Sequence, residues 1–156
     1  MSIIKKIIAA FIVVAILWTI WGRIRGGDSQ EVTNTKIACD VEKNEDGNWV
    51  LRNLFDVFPD FKINEIQGKS GDAYPEVLAY LGAQSAAAAG AAQLNERWRT
   101  LADATSDFVY SIQMSLAIAS ANDIGSETDA EVAKLRLISS IKKSSECQAF
   151  INRLNS

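Results

Sequence analysis

Histidine is absent from this chain of 156 residues, and cysteine and proline occur only twice each. The first absence removes the commonest general base and the commonest metal ligand. Two cysteines cannot form a thiolate metal cluster. Two prolines and nine glycines leave no material for proline-rich linkers or collagen-like repeats. Hydrophobic residues at 48% and charged residues at 22% place the chain among ordinary globular proteins, at a length suited to one domain. No metal and no cofactor is expected.

Acidic residues are missing from residues 1–25, which hold Lys5, Lys6, Arg23 and Arg25. Those four leave twelve basic residues against nineteen acids in residues 26–156, a net charge of about −7. A domain of that sign repels phosphate backbones, and no basic stripe offsets it. Arg97 and Arg99 are isolated, while Lys142 and Lys143 sit near Glu146. Nucleic acid is not an expected partner.

Charge is also absent from residues 7–22, IIAAFIVVAILWTIWG. As a helix this run is roughly 24 Å long, a little short of a ~30 Å hydrocarbon layer. Lys5 and Lys6 at one end and Arg23 at the other can snorkel and extend it. Trp18 and Trp21 fall where an interfacial belt would put them. The expectation is a transmembrane anchor over residues 1–25 in contact with membrane lipid, a linker over 26–33 and an outer domain over 34–156. A cleaved signal peptide competes with this reading, but residues 18–23 place bulky and basic side chains where small ones should precede cleavage.

Cys39 and Cys147 are too far apart for a metal motif, and an even count in an exported domain reads as a disulfide. Closing so long a loop stabilises a fold by roughly 4 kcal/mol in the chain-entropy treatment. The positive-inside balance across the anchor is nearly even. The cysteines therefore set the expected orientation, with the domain on the periplasmic side, outside the cytoplasm.

Beyond the linker, alternation of Thr35, Ile37, Cys39 and Val41 with polar neighbours predicts a half-buried strand. Residues 44–48 make a turn, and residues 49–52 return as a second strand. The turn resembles a calcium loop only in its middle: Glu42 and Asn53 stand where Asp and a bidentate Glu are needed. Phe55, Val57, Phe58 and Phe61, interrupted by Pro59, suit a short helix or a loop plugging the core. Residues 68–70 read Gly-Lys-Ser but lack the glycine-rich approach of a phosphate loop.

Asp72 is a good N-cap with Pro75 and Glu76 inside the first turn, and from there a helical pattern without further proline runs to about Ala121. Gly82, Ala86 and Gly90 recur every fourth residue and give a flat face, which can belong to a second membrane segment, dock a partner helix or pack within the domain; an oligomer is among the partners considered. Leu94, Trp98, Leu101, Thr105, Phe108, Ile112, Ser115 and Ala119 form a heptad-like seam. Ser126 with Asp129 opens a last helix in capping-box fashion. Val132, Leu135, Ile138, Ile141, Cys147, Phe150, Ile151 and Leu154 supply its expected buried face. The fold class is thus mostly α: an N-terminal transmembrane helix, then a small domain of one long helix and an antiparallel C-terminal helix, with a short β-hairpin.

Catalytic candidates are few. Ser139 and Ser140 each precede a lysine by three, Lys142 and Lys143, but the companion motifs of a Ser-x-x-Lys enzyme are missing. Asp103 and Asp107 lie one helical turn apart, as solvated surface carboxylates usually do. The expected function is that of a non-enzymatic, membrane-anchored structural or accessory subunit of a bacterial or phage-encoded envelope assembly, acting on other envelope proteins. The alternative is a secreted or periplasmic inhibitor or immunity-type binder whose N-terminus is removed.

Overall fold

In a computed structural model of the chain, described for residues 3–25, 29–59, 61 and 74–156, helices dominate and a single short hairpin accompanies them. The side chains of residues 16–25, 55 and 74 lie outside that description.

Helix α1 spans Ile3–Arg25. Its described side chains end at Ala15, about 20 Å of helix, and include Lys5 and Lys6, which are exposed. Among the described residues no helix is long and apolar enough to cross a membrane. The expectation that residues 1–25 span a bilayer therefore finds no support there. Trp18, Trp21 and Arg23 fall outside the described side chains.

Helix α2, Gln30–Cys39, replaces the strand expected over residues 35–39, and its first turn occupies half of the expected linker. Ser29 caps it, its hydroxyl accepting from the Val32 amide at 3.3 Å. The buried residues are Thr35, Ala38 and Cys39, which is helical spacing; Ile37, assigned to the inner face of a strand, is exposed. Asp40 then takes a left-handed conformation at φ 52° and ends the helix. The strand begins only at Val41. Strands β1, Val41–Lys43, and β2, Trp49–Leu51, pair antiparallel with Glu42 opposite Val50. Gly47 sits at φ 79° in the turn between them, where a side chain would strain the backbone.

Helix α3, Leu54–Val57, is the expected short aromatic-rich element. Leu54 and Phe61 are buried, and Phe58 meets Tyr80 edge-on at 5.3 Å. The expected continuous helix to Ala121 is two helices, α4, Tyr74–Leu94, and α5, Arg99–Ser120, joined by a tight turn over Glu96–Trp98. Asn95 makes the break: its backbone is extended and its side chain accepts from the Arg97 amide at 3.1 Å. This restart explains why Leu94 is exposed while every other expected seam position is buried or half-buried. The expected caps at Asp72 and the Gly-Lys-Ser stretch lie outside the described residues.

Helix α6, Glu127–Leu154, runs back along α5 after the turn at residues 121–126. Ser126 Oγ accepts from the Asp129 amide at 3.2 Å, and Asp129 in return accepts from the Gly125 amide at 3.1 Å. The expected buried face holds at Val132, Cys147, Phe150 and Ile151. It fails at Ile138 and Ile141, which are exposed, because α5 covers the opposite flank, where Ser139 is buried.

Two apolar cores result. One gathers Ala38, Cys39, Ala88, Ala91, Trp98, Leu101, Cys147 and Phe150 where α2 meets α4 and the end of α6. The other gathers Leu54, Phe61, Val77, Leu81, Val109 and Ile112.

Candidate functional site

The small residues of α4 decide how closely α2 can approach. A Cβ on Gly90 would come within 2.9 Å of Asn34 Nδ2, so the glycine leaves room for that side-chain amide where α2 lies against α4. Gly82 and Ala86, the other members of the expected docking face, are exposed, and among the described residues nothing beyond the neighbouring backbone of α4 lies within 4 Å of where a Gly82 Cβ would be. The structure therefore separates the three: Gly90 serves packing inside the chain, while Gly82 and Ala86 face outward.

Cys39 and Cys147 are joined in a disulfide, their Cα atoms 5.5 Å apart, as the sequence led one to expect. It clips α2 to α6. Around it lies a polar frame that no sequence motif announced. Glu31 Oε1 accepts from Trp98 Nε1 at 2.6 Å and from Asn95 Nδ2 at 3.2 Å, tying α2 to the break between α4 and α5. Arg52 grips the Asp40 carboxylate with Nε at 3.2 Å and Nη2 at 3.0 Å; that bond, then the carboxylate's charge, raises its pKa. Asn155 donates to the Trp49 carbonyl at 2.9 Å and accepts from its amide at 2.8 Å, holding the chain's end on β2.

Beside the disulfide a groove of about 570 Å³ opens between α6, α4, α5 and the residues following β2. Its walls include Leu51, Leu54, Leu81, Phe108 and Leu137. α6 contributes residues 133, 136, 137, 140, 143, 144 and 147, the i, i+3, i+4, i+7 spacing of one helical face. Lys143 enters from that face. Its Nζ donates to Gln84 Oε1 at 2.7 Å and lies 5.7 Å from the Phe108 ring centre, within range of a cation–π attraction. Burial pushes this ammonium down from 10.5 to about 8, with the charge of Asp40 opposing the shift. Arg136 Nη1 donates to Ser115 Oγ at 2.7 Å. Neither Lys143 nor Arg136 makes an ion pair among the described residues.

Ser140 and Lys143 share this groove, so the Ser-x-x-Lys spacing does bring one such pair to a common site. No hydrogen bond joins them: the lysine's bond goes to Gln84. Ser139 bonds instead to the Leu135 carbonyl at 2.7 Å, turned into the α5 interface. Asp103 and Asp107 are exposed on α5, and among the described residues no group of histidine, cysteine or carboxylate side chains could hold a metal ion. The arrangement offers a cation and hydroxyls beside apolar side chains, which is equipment for binding a small molecule. The lysine was visible in sequence as the partner of Ser140 and as a neighbour of Glu146, but not its burial beside Gln84, 59 positions away.

No protein-family model, curated protein or solved structure matches the chain.

Proposed function

We propose that the chain is a membrane-tethered, non-enzymatic accessory subunit of an envelope assembly, held by α1 and acting through protein–protein contacts of its C-terminal domain outside the cytoplasm. The observation that carries this reading is the exposure of apolar side chains around the whole circumference of α1. Phe11, Ile12, Val13 and Val14 are 74%, 55%, 54% and 56% exposed. Four consecutive residues advance about 100° each and so face every side of the helix. Such a surface in water carries a hydrophobic cost of roughly 25 cal/mol per Å², and an apolar environment on all sides removes it. The Cys39–Cys147 bond supports an oxidising compartment for the domain.

Membrane fractionation tests the reading. The full chain is expected to stay with the membrane pellet after an alkaline carbonate wash. A chain carrying Ile12→Asp and Val13→Asp is expected in the supernatant, since each buried acid costs about 3 kcal/mol at mid-bilayer. Release of the unaltered chain by the wash would overturn the tether, and a mature mass lacking residues 1 to about 27 would favour the processed, freely diffusing binder instead.

A further inference from the structure

We propose that the groove beside the disulfide binds an aliphatic monocarboxylate, an amphiphile of the fatty-acid class, with its head on Lys143 and its hydrocarbon against Leu54, Leu81 and Leu137. The site goes beyond the tether and does not depend on it, because none of its residues lies on α1.

Three observations converge on that ligand chemistry. The cavity, at about 570 Å³, falls within the few hundred to a thousand Å³ of small-molecule sites. Leu51, Leu54, Leu81, Ala133 and Leu137 give it an aliphatic stretch among otherwise mostly polar walls, and Leu137 at the rim is 62% exposed, an apolar side chain of the groove left in water. Beside this stretch projects a desolvated ammonium whose hydrogen bond among the described residues goes to a neutral amide. An ammonium has three protons to donate, so two remain for an oxygen-bearing anion. Among the described residues the ammonium has no ion pair and feels the Asp40 carboxylate only from beyond contact; burying a cation so is costly, and an incoming carboxylate lowers that cost through a charge-assisted hydrogen bond.

The local charge pattern agrees. Residues 132–145 contain Lys134, Arg136, Lys142 and Lys143 and no acid, inside a domain whose net charge is about −7. An inorganic anion would satisfy Lys143 yet leave the leucines wet. A peptide partner would need an extended contact of roughly 800 Å² on each side, whereas the groove is one cavity lined by fifteen residues.

The test uses the full chain in nonionic detergent, with lysine labelled at Cε for NMR and octanoate labelled at its carboxyl carbon. Octanoate is expected to bind saturably and to raise the Lys143 pKa from about 8 to about 9 or above, since a bound carboxylate favours the charged amine. Octanol, with a matching chain but no carboxylate, is expected to leave it in place. Lys143→Met is expected to weaken octanoate binding at least tenfold, its fold checked by the intact disulfide and circular dichroism. The wild-type titration needs no variant and stands if that one misfolds. Octanoate leaving the Lys143 titration unmoved would overturn the proposal. So would inorganic phosphate, or an acetylated glutamate peptide, moving it as far at equal concentration, for then the hydrocarbon adds nothing. Membrane release of the chain in the carbonate wash would leave these outcomes unchanged.

Discussion

The two halves of α6 carry similar apolar repeats and meet different fates. Toward the C-terminus Cys147, Phe150 and Ile151 are 1%, 4% and 3% exposed. About two to three turns earlier Leu137, Ile138 and Ile141 are 62%, 42% and 60% exposed. Spacing alone does not separate them, because i, i+3, i+4 periodicity says which residues share a face and not what crosses that face. The difference is made by the covering. The C-terminal half lies beneath α2, drawn in by the disulfide, and beneath β2, held by Asn155. The middle of α6 packs on α5 along one flank only and borders the groove on the other.

The largest break in this contrast is expected from removing the clip. Replacing both Cys39 and Cys147 by Ala is expected to lower the unfolding free energy by about 4 kcal/mol, the loop-closure value for a cross-link spanning so many residues. Urea denaturation of the full chain reads it. A loss below about 1 kcal/mol would mean that α2 is held by packing and by Glu31 alone.

Next comes truncation within each half. Phe150 lies in the core and meets Trp98 edge-on at 5.6 Å, so Phe150→Ala is expected to cost about 3 kcal/mol. Ile141→Ala, on the exposed half, is expected to change stability by less than about 0.5 kcal/mol. Equal losses at the two sites, measured by the same denaturation, would place Ile141 beneath a cover.

What could be read in the sequence, and what could not, divides along the same line. The seam of α5 was legible because its apolar residues, from Trp98 to Ala119, repeat on one face and a neighbour covers nearly all of it. The Ser126–Asp129 cap, the hairpin turn with Gly47 and the pairing of two cysteines were legible because each is local or has only one partner to choose. Residues 35–39 were misread because four alternating positions fit a strand of period two, while the helix signal was a cap at Ser29 and a glutamate in the first turn. The break at Asn95 was missed because asparagine interrupts a helix only by way of its side-chain bonds, here to Arg97 and Glu31. Glu31 itself is silent in sequence, since its partners Asn95 and Trp98 stand 64 and 67 residues away. The groove is silent for that reason too: Lys143 is buried beside Gln84 and Phe108, which belong to other helices.

A titration effect smaller than the loss at Phe150 sharpens the comparison at the boundary between the two halves, where Lys143 sits. Folding moves its pKa down from 10.5 to about 8, so between those values the unfolded chain binds more protons than the folded one. Stability then rises with pH through that window, and below about pH 8 the amine is protonated in both states and the full desolvation cost is present. Between pH 7 and pH 9 the contribution is about 1 kcal/mol at 1.36 kcal/mol per pKa unit. Lys143→Met removes this proton uptake while leaving every other titrating group in place. The unfolding free energy of the wild type is therefore expected to gain about 1 kcal/mol on the variant over that interval, whatever the variant's absolute stability after losing the bond to Gln84. The difference between the two curves isolates the lysine, because shared titrations cancel. A difference that stays flat would put the ammonium in water at the groove's mouth, making this stretch of α6 as open as its exposed isoleucines.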